Sequence, residues 1–276
     1  MAGQRGNAFT LLELLVVVVV LGLGVAMLAP ALARTSTNSP ALQCLNNARR
    51  IAMGWIMYSD DNNGQLVYNH DGDYAGKVLG GEAWVTGWLD FTSANPDNTN
   101  TLMLVDHNQY PYGAYLGQYV RNPAVFKCPA DRSMALEGGV QQPRVRSISM
   151  NNHVGTESRT WTANSVRYPI CTKATQIKSP AIMFITLDEH EASINDGCFF
   201  SDPDTPYRVV DYPASYHANA GGFSFADGHS EIHKWLDRRT MPLLQPGQLL
   251  NLNVYLPGDK DILWLAQHAA GVAVYP

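Results

Sequence analysis

The chain has no run of lysine or arginine that could track a phosphate backbone, and 19 basic against 24 acidic side chains leave a formal charge of -5. Nucleic acid is a poor fit to that balance. No CxxC pair is present: Cys44, Cys128, Cys171 and Cys198 lie too far apart in sequence for the spacing of a zinc ribbon or a dithiol redox motif. Phosphate loops, nucleophile motifs and paired catalytic acids are also missing, so the chain reads as a non-enzyme. No internal repeat or low-complexity linker divides it, and 276 residues suffice for one large head or two small domains.

What is present begins with "NAFTLLELLVVVVVLGLGVAMLAPALA", residues 7–33, which is apolar except for one acid, Glu13, near its start. As a helix from Phe9 to Ala33 it would run roughly 37 Å, enough to cross a hydrocarbon core of about 30 Å with some tilt. Arg5, the one charged side chain before it, favours a cytoplasmic N-terminus. A secretory signal cut after "APALA" and a plain uncleaved anchor are the competing readings, but neither explains Glu13. A carboxylate within hydrocarbon costs several kcal/mol unless it is paired, so such residues are usually paired or functional.

The run A-FTLLELLVVVVVLG resembles the class III signal of type IV pilins and type II secretion pseudopilins. That resemblance implies cleavage by a prepilin peptidase between Ala8 and Phe9, methylation of the new Phe9 amine, and Glu13 as fifth residue of the mature chain. Ala8 stands where leaders of that family usually end in Gly. Gly22 and Pro30 fall where pilin helices commonly carry a Gly and a Pro. Cleavage would create a partner for the acid: the Phe9 ammonium of a neighbouring subunit pairs with Glu13 while the helices bundle, which makes Glu13 an assembly residue.

The expected organisation is a leader at 1–8, a pilin-type helix at 9–62 and an exported head at 63–276. Within the helix, 9–33 is transmembrane, "TSTNSP" at 35–40 is a hinge, and 41–62 is an outer helix with Ser39 as N-cap and Pro40 at the first helical position. "YSDDNNGQL", residues 58–66, lacks the ligand spacing of a calcium loop and reads as the end of that helix. The fold class is α+β, pilin-like, with a head dominated by short antiparallel strands. "GEAWVTGWLDF", "AVFKCPAD", "VRSISMNN" and "AIMFITLDEH" read as strands, and Tyr112 to Val120 as a helical stretch. Export past a membrane helix favours disulfides, and the pairing Cys44–Cys128 with Cys171–Cys198 leaves the shorter loop local.

"YHANAGGFSFADGHSEIHKWL", residues 216–236, carries the densest polar chemistry of the head. Asp227-Gly228 predicts a hairpin with a two-residue type I′ turn, pairing Phe225 with Ser230 and Phe223 with Ile232. Phe223, Phe225 and Ile232 would then share the buried face, leaving His229, Glu231 and His233 together on the other as a metal-capable array. Asp188, Glu189 and His190 end an apolar strand, and Asp188 and His190 join the metal candidates with His217, Asp227 and His229. No organic cofactor is called for; a bound metal ion is the one cofactor these residues admit.

His217, nine residues, then Asp227-Gly228 resembles the H-x9-DG signature of prepilin-like proteins described as processing-associated. "CLNNARRIAMGWIMYSDDNNG", "VFKCPAD" and "LDEHEASINDG" are similar to the same group. The two resemblances imply a structural subunit of a type II secretion pseudopilus or type IV pilus-like filament. They imply an inner-membrane precursor with a periplasmic head, and as partners the peptidase, other pilin-like subunits and an assembly platform. A membrane-anchored module that binds polysaccharide or protein is the alternative, and a periplasmic metal-dependent enzyme a more distant one.

Overall fold

In a computed structural model of the chain, residues 11–23, 39–72, 83–92, 94–155, 168 and 170–274 are described. The head is α+β, with a mainly antiparallel sheet between two helices. Residues 11–23 form helix α1, and each large apolar side chain on it is exposed by 46% or more. Among the described residues no helix is long and apolar enough to cross a membrane. The rest of the expected 9–33 span and most of the expected 35–40 hinge lie outside them.

Helix α2, Pro40–Asp61, begins where the Ser39 side chain accepts from the Leu42 N–H at 3.2 Å and Pro40 takes the first position. It stops at Asn62, after which Asn63 and Gly64 adopt positive φ. Cys44, Ala48, Ile51, Ala52, Trp55 and Tyr58 recur at helical spacing and are buried. That stripe lies on a five-stranded sheet of order β5-β3-β4-β7-β8, built from β3 (Ile148–Asn151), β4 (Phe184–Asp188), β5 (Cys198–Phe199), β7 (Ala220–Phe225) and β8 (Ser230–Lys234). Only the β3/β5 pair is parallel. Two small pairs flank the sheet: β1 (Met134–Glu137) with β2 (Val140–Pro143), and β6 (Arg208–Val209) with β9 (Val254–Tyr255).

Helix α5, Lys260–Ala270, covers the second face. Its N-cap Asp259 accepts from the Asp261 and Ile262 N–H groups, and Gly271 closes it at positive φ. Strand β7 serves both layers by alternation: Phe223 and Phe225 join the core cluster under α5, while the Gly222 and Ser224 positions face α2, where small residues allow a close approach.

Several sequence expectations are corrected by local chemistry. The described part of "GEAWVTGWLDF", residues 83–91, forms no ladder beyond an isolated bridge at Ala83, because Gly87 turns at φ 96 and the Asp97 and Asn98 side chains accept the N–H groups of Trp88 and Asp90. In "AVFKCPAD" the Asn122 side chain accepts from Ala124 N and winds Pro123–Phe126 into a 3-10 turn. The stretch from Tyr112 shortens to one helical turn, α4 (Gly117–Val120), after the single turn α3 (Leu102–Val105).

The largest correction is the hairpin register. Ser224 pairs with Ser230, Phe223 with Glu231 and Gly222 with Ile232, one residue away from the expected pairing. Gly228 N donates to Phe225 O at 2.9 Å and Gly228 sits at φ 90, so the loop has three residues and ends in a left-handed glycine. A one-residue slip moves every side chain to the other face. His229 and His233 therefore stand beside Phe225 and Phe223, and Ser230 points the other way, donating to Leu45 O of α2.

His153, buried in the turn after β3, gives a pH-dependent contribution to stability. Burial pushes its imidazole down to about 4, so the folded chain keeps it neutral. Between about pH 6.5 and 4 the unfolded chain binds a proton that the folded chain does not, so this contribution is present above that window and lost as pH falls through it. Replacing His153 by Phe should shift the stability difference between variant and parent by about 3 kcal/mol towards the variant on going from pH 7 to pH 4. Urea titrations of both chains at the two pH values measure it, and a pH-independent difference would refute it.

Candidate functional site

Four segments distant in sequence meet under the N-terminal half of α2. Cys44 lies in the second turn of that helix, Cys128 follows the 3-10 turn at Pro123–Phe126, Asp188 ends β4, and His217 sits in the turn before β7. One ligand atom from each lies within 4.8 Å of all the others, the one such group of metal-type ligands among the described residues. Cys44 Sγ donates to Asp188 Oδ2 at 2.8 Å, Cys128 Sγ is 3.2 Å from His217 Nε2, and His217 Nε2 is 3.7 Å from Asp188 Oδ2. The surroundings fix the set: Gly222 N donates to Asp188 Oδ2, Ala130 N to Cys128 Sγ, and Cys128 N to Ser147 Oγ.

The group is closed to solvent. Cys44, Cys128 and Asp188 are 1%, 0% and 2% exposed, and the His217 side chain is 4% exposed. Gly222 is part of the enclosure, since a Cβ there would lie 2.6 Å from Cys44 Sγ and 3.0 Å from Asp188 Oδ2.

Electrostatics separates the two thiols. The hydrogen bond to Cys128, then burial and the charge of Asp188, push the Cys44 thiol far up. The same bond holds Cys128 below its ordinary value against burial, with His217 adding to it. Burial alone would lower His217, but hydrogen bonds to Asp188 and Cys128 outweigh it and carry the imidazole up to about 9. Cys128 is the more acidic thiol, and it faces an imidazole that favours its charged form.

This constellation is not a nucleophile–base–acid triad. In a triad the carboxylate holds the imidazole nitrogen opposite the nucleophile, whereas Cys128 and Asp188 both approach Nε2. Convergence on one point is the arrangement of a coordination site.

All four cysteines are free thiols in the structure, so neither expected bridge is formed. Cys44 and Cys128 are neighbours within the cluster, while Cys171 bridges to Val154 and Cys198 lies in β5. His217 and Asp227 sit at opposite ends of β7; His217 N donates to Ala220 O, and Asp227 pairs with His229 across the exposed hairpin turn. The expected array on β8 serves packing: His229 stacks on Phe225 at 4.2 Å, and His233 on Trp264 at 3.7 Å with Glu231 3.8 Å away. Trp264 in turn stacks on His268 at 3.8 Å. His190 is buried, its Nδ1 accepting from Ala192 N, outside the cluster. Glu13 and Gly22 lie on α1; Ala8, Phe9 and Pro30 fall outside the described residues.

The sequence pairs Cys44 with Cys128 as a bridge and gives no sign that both lie beside Asp188 and His217. The available signal was slight: Asp188 closes an apolar run, Cys128 precedes a Pro, and the Gly221-Gly222 pair inside a strand marks close approach.

No curated protein and no solved structure matches the chain. Residues 4–29 match a family model described as the prokaryotic N-terminal methylation motif, which marks this segment as that of a type IV pilin-like or pseudopilin-type precursor.

Proposed function

We propose that the protein is a structural subunit of a pseudopilus or type IV pilus-like filament, inserted in the inner membrane, trimmed between Ala8 and Phe9, methylated at Phe9 and assembled through its apolar helix. The observation that carries this reading is the methylation motif over residues 4–29 together with a helix, 11–23, that is apolar all round apart from Glu13 and carries its large side chains exposed. Such a helix is stable only inside lipid or among other helices. The head, folded around α2, then presents the contact surface, and its role is structural. The leader at 1–8, the transmembrane part of the 9–62 helix and the exported head at 63–276 belong to the same proposal, as do the prepilin peptidase, sister subunits and assembly platform as partners.

Intact mass and the N-terminal peptide of the chain from its native membrane test it. A methylated Phe9 terminus is the expected result; an intact Met1 leader or a cut after Ala33 would overturn the assembly reading. Glu13→Ala should insert normally and fall by about tenfold or more in the filament fraction, as expected for loss of a buried ion pair. Undiminished incorporation would remove Glu13 from assembly.

A further inference from the structure

We infer that Cys44, Cys128, Asp188 and His217 bind one zinc ion that fastens helix α2 to the head. The ligand types are two sulfurs, one imidazole nitrogen and one carboxylate oxygen, a mixed soft and borderline set that suits zinc and is foreign to calcium or magnesium. Tetrahedral zinc, with bonds of ~2.3 Å to sulfur and ~2.0–2.1 Å to nitrogen or oxygen, places its ligand atoms roughly 3.3–3.8 Å apart. The separations of 2.8, 3.2 and 3.7 Å, all pairs lying within 4.8 Å, fit such an ion with small side-chain shifts.

An independent observation points the same way. Asp188 Oδ1 is buried without a hydrogen-bond partner, while Oδ2 takes contacts from Cys44, Gly222 and His217. A buried carboxylate normally has its lone pairs satisfied, and a cation held on Oδ2 neutralises the charge that Oδ1, with no donor of its own, leaves uncompensated. All four coordination positions come from protein and the group is closed to solvent, which is the pattern of a structural zinc site. The Gly222 and Ala130 amides support two of the ligand atoms from outside, as donors to metal ligands commonly do.

The mechanical consequence follows from where the ligands originate. Cys44 belongs to the helix that follows the N-terminal segment in sequence, whereas Cys128, Asp188 and His217 belong to three separate parts of the head. The ion ties stalk to head at the point where force on a membrane helix would first reach the fold. The inference stands independently of filament assembly, because it is read on the extracted monomer.

The test uses the full chain extracted in detergent from its native membrane. Elemental analysis should find one zinc per chain, and Cys44 and Cys128 should resist alkylation until a chelator is added. Exchange with cobalt should give the visible d–d bands and the near-ultraviolet sulfur charge-transfer band of a tetrahedral thiolate site. His217→Gln and Asp188→Asn should each lower zinc affinity by about tenfold or more, with near-ultraviolet circular dichroism reporting whether each variant is folded. If neither variant folds, the cobalt spectrum of the parent chain decides. A metal-free chain, whether its thiols are free or joined as a Cys44–Cys128 disulfide, overturns the inference, and so does zinc that folded His217→Gln retains at full affinity.

Discussion

Gly222→Ala is expected to destabilise the head by about 3 kcal/mol, the upper end of the usual cost of overpacking. The added methyl would lie 2.6 Å from Cys44 Sγ and 3.0 Å from Asp188 Oδ2, and neither neighbour is the free end of a long side chain. Cys44 is held by a helix that also packs Ile51, Ala52 and Trp55 into the core, and Asp188 by the end of a central strand. Relief requires lifting α2 from β7, which also strains the bond from Ser230 Oγ to Leu45 O. The cause can be isolated with a second change. In a Cys44→Ala background the nearest obstacle is gone, and Gly222→Ala should then cost no more than about 1 kcal/mol, a coupling typical of residues in direct contact. Urea titrations of the four chains, followed by tryptophan fluorescence, measure the cycle. Equal costs in both backgrounds would place the obstruction at Asp188 Oδ2 and not in the space above Cys44.

The same strand shows how far the sequence can be read. Local chemistry was legible: Ser39-Pro40 opens α2, the Asp227-Gly228 pair sits in the hairpin loop, and the apolar runs around Met150 and Ile185 are strands. The register was not. A glycine at positive φ satisfies both a two-residue type I′ turn and a three-residue loop, and what separates them is the bonding of Phe225, whose O accepts from Gly228 N and whose N donates to His229 O. Burial of β7 on both faces also removes the apolar-in, polar-out alternation that would have set the register from pattern alone. The cluster was hidden for a different reason. Cys44, Cys128, Asp188 and His217 share no spacing; they meet because β4 and β7 are neighbours and α2 crosses above them, which is tertiary information. In "GEAWVTGWLDF" the apolar pattern favoured a strand, and side-chain acceptors from Asp97 and Asn98 took the amides that a ladder would need.

Arg144→Met should destabilise the head by about 4 kcal/mol, the sum expected when two buried carbonyls lose their charged donor. Arg144 is 1% exposed, and its guanidinium lies 4.6 Å over the Phe91 ring. Nη1 donates to Glu191 O at 2.6 Å and Nη2 to Ile194 O at 3.0 Å. Those carbonyls belong to the connection that leaves β4 directly after Asp188 and returns to β5, so one planar group holds the segment behind the cluster. Methionine fills most of the volume but leaves two buried carbonyls without these donors, at ~1–3 kcal/mol each. Lysine keeps the charge but cannot present two donors in a fixed fork, so Arg144→Lys should recover less than half of the loss. A Met variant within about 1 kcal/mol of the parent in urea titration would mean that the connection is held by its own turns, such as the bond from Ser193 N to His190 O. A large loss with Lys nearly as costly as Met would locate the energy in the two-pronged geometry rather than in the charge. In that case the same fork also fixes where Asp188 ends its strand, so Arg144→Met should weaken zinc retention without touching any of the four ligands.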